Sequence, residues 1–77
     1  MCNTFFVIDE IDIVVFNMLM RNSSDFKKLH ELDQRTLIWF IIKFPRGVAS
    51  FIDYLGKQYE GEYLNVVKLS EDVEAIP

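Results

Sequence analysis

His30 and Cys2 are the only histidine and the only cysteine in the 77-residue chain, so any acid–base or thiol chemistry would fall on them. Nucleophilic catalysis needs a nucleophile, a base and a group that orients the base. His30 stands beside Lys28, Glu31 and Asp33, a pattern that reads as a solvated helix face. A zinc site needs a second histidine or a paired-cysteine motif, and the chain has neither. Asp9, Glu10 and Asp12 are too closely spaced, with no glycine after them, to form a calcium loop. Twelve acidic residues always contain carboxylate pairs of the kind that hydrolyse glycosides, yet nothing singles one out. A chain this short also leaves little room for a substrate cleft. No catalytic residue, metal ligand or cofactor is expected, and the chain reads as a non-enzyme.

One string has a further association. Phe5-Phe6-Val7-Ile8-Asp9-Glu10-Ile11-Asp12 resembles the Walker B segment of AAA+ ATPases, an apolar strand ending in Asp-Glu. The resemblance implies magnesium and water handling by Asp9 and Glu10. It covers eight residues and lacks its partner. The three glycines, Gly47, Gly56 and Gly61, make no phosphate-cradling loop followed by Lys and Ser or Thr. A strand leading into a capped helix produces the same letters.

Charge is unevenly placed. Residues 1–20 carry −3, residues 21–57 carry +3 and residues 58–77 carry −4. The basic middle invites a DNA-binding alternative, a small helix-turn-helix-like regulator or antitoxin using residues 25–58. Its recognition helix would present Arg46, Ser50, Asp53 and Lys57, of which Asp53 repels phosphate. The whole chain has a net charge of −4 and a pI near 4.7, which disfavours nucleic acid as the partner. A DNA mimic needs dense, evenly spaced acids, and here they gather at the ends.

Recognition by aromatic anchors remains. Eleven residues are Phe, Trp or Tyr, and large rings give contact area with few rotors to freeze. Trp39 falls off the stripe Leu37/Phe40/Ile41/Phe44, and Tyr54 falls off the stripe Val48/Phe51/Ile52/Leu55. Tyr59 and Tyr63 flank a glycine turn, and Arg46 adds a cation of the type common at interfaces. Trp39, Arg46, Tyr54, Tyr59 and Tyr63 are therefore the partner-binding candidates, with Trp39 equally readable as core.

The elements that must hold these residues are mostly helical. Asn3–Ile8 is aromatic and β-branched and predicts a strand. Asp9 can cap a helix to about Arg21, because Ile8, Ile11, Val15, Met18 and Leu19 share a side; a hairpin through Asp9–Glu10 is the alternative. Asn22-Ser23-Ser24 breaks the chain before a short helix over 25–32. Asp33 caps a helix over 34–44 that is apolar almost all round, the mark of a central helix or one facing another chain. Pro45 ends it. Val48, Phe51, Ile52, Leu55 and Tyr59 predict an amphipathic helix that Gly56 or Gly61 can stop. Tyr63–Leu69, centred on Val66 and Val67, predicts a second strand, and the acidic tail from about 70 to 77 is expected to be loose.

The expected fold is thus α+β, one mostly helical domain of three or four helices over residues 1–77 with a short terminal strand pair; an all-α fold is the close alternative. Half the residues are apolar (51 %), which excludes a disordered chain. A domain of this size leaves about 40 % of its unfolded surface exposed, so surplus apolar area points to a protein interface, including a homodimer. The longest apolar run, Leu37–Ile42, is too short for a membrane span. With no basic stretch at its start and one cysteine, a cytoplasmic protein is expected. In general character the chain is similar to phage-encoded or mobile-element inhibitors of host machinery, anti-CRISPR proteins among them. That similarity implies a small protein-binding module that acts stoichiometrically, occluding a partner protein's working surface.

Overall fold

The computed structural model describes residues 10–61 and 63–77. Among them are five α-helices and no strand: α1 Glu10–Asn22, α2 Ser24–Lys28, α3 Glu31–Lys43, α4 Val48–Gln58 and α5 Val66–Glu74, with a single 3₁₀ turn, Pro45–Gly47, joining α3 to α4. Each helix sends one side chain to the centre. Leu19, Phe26, Leu37, Leu55 and Leu69 are all essentially inaccessible to solvent. Val15, Leu29, Ile38, Ile52, Tyr59 and Val73 complete the core around them.

Local chemistry explains most of the boundaries. The Ser23 Oγ accepts the Phe26 N–H at 3.1 Å, capping α2 one residue after α1 ends. Phe44 leaves helical geometry at φ −148° and ψ 65°, as the residue before a proline must. Pro45 then opens the 3₁₀ turn. α4 runs through Gly56 because that glycine lets α5 approach. A Cβ there would lie 2.7 Å from Val66 Cγ1, and α4 and α5 pack directly together.

The strand pair expected at the termini is overturned. Tyr63–Leu69 is not a strand: Asn65 caps α5 by accepting the Lys68 N–H at 2.9 Å, and the helix runs from Val66 to Glu74. Leu69 and Val73, one turn apart, both enter the core. Their four-residue spacing outweighs the strand preference of Val66 and Val67, since burial against α4, α2 and α1 decides the period. The segment from 70 onward is accordingly a packed helix through Glu74, not a loose tail, and Ile76 packs on the core beyond it. Asn3–Ile8, the other expected strand, lies outside the described residues. Over the described residues the fold is the all-helical alternative.

Two polar clusters fasten the long-range contacts. Asp25, buried in α2, accepts the Asn65 N–H at 3.0 Å and Lys28 Nζ at 3.3 Å, and Lys28 also donates to the Tyr63 carbonyl at 2.9 Å. This ties the entry of α5 to α2. The Tyr59 hydroxyl donates to Asp33 Oδ2 at 2.6 Å and accepts the His30 N–H at 2.7 Å, tying the end of α4 to the start of α3.

Candidate interaction surface

α3 and α4 together present a continuous run of aromatic rings. Trp39 meets Phe40 edge-on, with centroids 5.1 Å apart. Phe40 stacks on Phe51 at 5.0 Å, and Phe51 stacks on Tyr54 at 5.8 Å. Phe44 joins at 6.2 Å from Phe40. Three of these rings keep much of their area in solvent: Trp39 is 41 %, Tyr54 50 % and Phe44 51 % exposed. The strip exists because Gly47 carries no side chain. A Cβ there would lie 2.6 Å from Phe44 Cδ2 and 2.8 Å from Phe40 Cε1.

The strip's rim is charged. Arg46 is exposed in the turn and Lys43 is exposed in the last turn of α3. Further along α4, Lys57 Nζ sits 3.6 Å from Asp53 Oδ2, both side chains well exposed. The outer face of α4 carries Ser50, Asp53 and Lys57, with Arg46 in the turn ahead of it and the Lys57 charge balanced within the helix.

Of the five residues singled out from sequence, Trp39 and Tyr54 share this strip and Arg46 borders it. Tyr59 does not belong there. It is only 4 % exposed, with its hydroxyl engaged by Asp33 and His30 and its ring 5.4 Å from that of His30. Its place in the i+11 position of the α4 stripe sends it inward. Tyr63 is 89 % exposed, in a turn with φ 60°, and it makes no ring contact with the strip among the described residues. Phe40, Phe44 and Phe51, which fall on apolar stripes in the sequence, complete the strip: Phe44 is exposed, Phe40 and Phe51 are half-buried, and Phe51 also packs against the core. The signal was the apolar excess of the 34–44 segment, which offers more ring area than one buried face can take.

Among the described residues no three His, Cys, Asp or Glu side chains are grouped to hold a metal. Cys2 and Asp9 lie outside them, and Glu10 simply opens α1. A hollow between the ends of α1 and α5 is lined by Met18, Leu19, Asn22, Asp72, Ala75 and Ile76. Asp72 Oδ1 receives Lys68 Nζ at 3.2 Å, whereas Oδ2 has no hydrogen-bond partner and is sealed from solvent. A ligand in the hollow therefore does not reach that oxygen. No described helix is long and apolar enough to cross a membrane.

No family model matches the chain, and neither a curated protein nor a solved structure matches it significantly.

Proposed function

We propose that this protein is a non-catalytic binding module that associates stoichiometrically with a partner protein and covers that partner's working surface, as a small inhibitor does. The aromatic strip of Trp39, Phe40, Phe44, Phe51 and Tyr54 carries the reading. Exposed Trp and Tyr rings held rigid by neighbouring rings give contact area without a large ordering entropy on association. A side chain that is half exposed and already stacked is pre-organised for a partner. The helix-turn-helix alternative is weaker, because Asp53 neutralises Lys57 on the helix that would enter the groove.

The test is capture of partners from native lysate on the tagged full chain, with and without nuclease, against Trp39→Ala and Tyr54→Ala variants of unchanged helicity. A stoichiometric protein that survives nuclease and is lost with either variant supports the reading. Capture that ignores both variants, or that nuclease abolishes, overturns it.

A further inference from the structure

We infer that the segment docking on the aromatic strip is acidic: a stretch of partner chain in which aliphatic or aromatic anchors are flanked by Asp or Glu. This rests on the strip being the binding surface and adds the chemistry of its occupant.

Among the described residues the chain pairs half of its eight bases internally. Lys28 pairs with Asp25 at 3.3 Å, Arg35 with Glu31 at 2.9 Å, Lys57 with Asp53 at 3.6 Å and Lys68 with Asp72 at 3.2 Å. Arg21, Lys27, Lys43 and Arg46 have no such partner among the described residues, and the last two border the strip. Acids are not scarce, since the chain has twelve of them for eight bases. The acid nearest along α4, Asp53, is taken by Lys57.

Arg21, Lys27 and Lys43 have an internal role available, because each is a cation in the last turn of its helix, where the dipole favours it. Arg46 has none. It sits just ahead of α4, where the positive end of that helix disfavours a cation. An arginine placed against its own helix dipole, beside the half-exposed Phe44, is accounted for by an anionic group supplied from outside. Interfaces place such charges so that potentials across them are complementary, and arginine beside aromatic rings is common at their energetic centres.

A peptide carboxylate fits better than a phosphate chain. Two uncompensated cations make a small anchor, whereas a nucleic-acid strand needs a groove of positive charge along its length. Phe40, Phe51 and Tyr54 also spend ring faces on one another, which leaves fewer faces for stacked bases.

A library of random linear peptides, selected on the immobilised full chain, provides the probe. Selected peptides are then synthesised and their affinities measured by fluorescence anisotropy. Expected are sequences rich in Asp or Glu around aromatic or aliphatic anchors, with affinity that falls as salt rises. Arg46→Glu should weaken them about tenfold, and Lys43→Glu should weaken them further. Acid-poor peptides that need Trp39 and Tyr54 but ignore Arg46→Glu overturn this inference and leave the binding surface standing. Peptides indifferent to all four substitutions overturn both. A failure to select strip-dependent peptides also overturns the inference, as does preferential binding of oligothymidine or a dimer of this chain abolished by Trp39→Ala.

Discussion

The Phe40 and Phe51 rings, both half-buried, stack 5.0 Å apart and 25° from parallel, joining α3 to α4. This pairing turns two separate helix faces into one surface. Phe40 reaches it by lying over Gly47, across a turn whose glycine keeps ordinary right-handed geometry at φ −90° and ψ −4°. The glycine is needed for space and not for its backbone freedom.

Gly47→Ala therefore tests the strip through sterics alone. The added methyl would stand 2.6 Å from Phe44 and 2.8 Å from Phe40, so both rings must move. A loss of about 1–3 kcal/mol in stability is expected, the usual range for overpacking. Trp39 fluorescence should shift as well, because Trp39 leans edge-on against Phe40. Urea unfolding monitored by that fluorescence reads both effects. An unchanged spectrum and midpoint would show that the rings do not depend on Gly47.

Gly56 opposes two effects that can be separated. In a helix interior, alanine is favoured over glycine by about 1 kcal/mol. Here the new methyl would lie 2.7 Å from Val66 Cγ1, with nothing else of Val66 nearer than 3.8 Å. Gly56→Ala alone should destabilise, by roughly 1–2 kcal/mol after the propensity gain is subtracted. Combined with Val66→Ala, the clash disappears and the double variant should be more stable than the two single losses predict. Additive losses in a thermal-unfolding cycle would mean that α4 and α5 do not meet at this point.

How much of this was legible in the sequence depends on which force decides each element. Helical spacing placed Leu19, Phe26, Leu37, Ile52 and Leu55 inward, and Pro45 marked the end of α3. α5 is hard to read from sequence because Val66-Val67 carries a strand preference, while the helical signal is spread thinly over the Asn65 cap and the Leu69/Val73 pair. The site was half legible. Trp39 and Tyr54 stand off their stripes in the sequence itself. That Phe40 and Phe51 would meet face to face needed the α3–α4 crossing, which no spacing within either helix encodes. The residue type of Tyr59 suggests a surface role, while its spacing places it inward with Leu55.

Asp25 holds α5 in place through one oxygen, which accepts both the Asn65 N–H at 3.0 Å and Lys28 Nζ at 3.3 Å. Asp25→Ala leaves that N–H and the Lys28 ammonium short of an acceptor, and a loss of about 2–3 kcal/mol follows from removing charged hydrogen bonds in a buried setting. Asp25→Asn keeps an oxygen for the Asn65 N–H and gives up the charge facing Lys28, which is partly solvated and screened. The asparagine variant should therefore lose less than the alanine variant. Hydrogen exchange should locate the damage, with amides of α5 opening faster in Asp25→Ala while those of α3 change less. Equal losses in the two variants would assign the stability to the Lys28 ion pair. Unchanged protection of α5 would mean that Leu69 and Val73 hold the helix without the carboxylate.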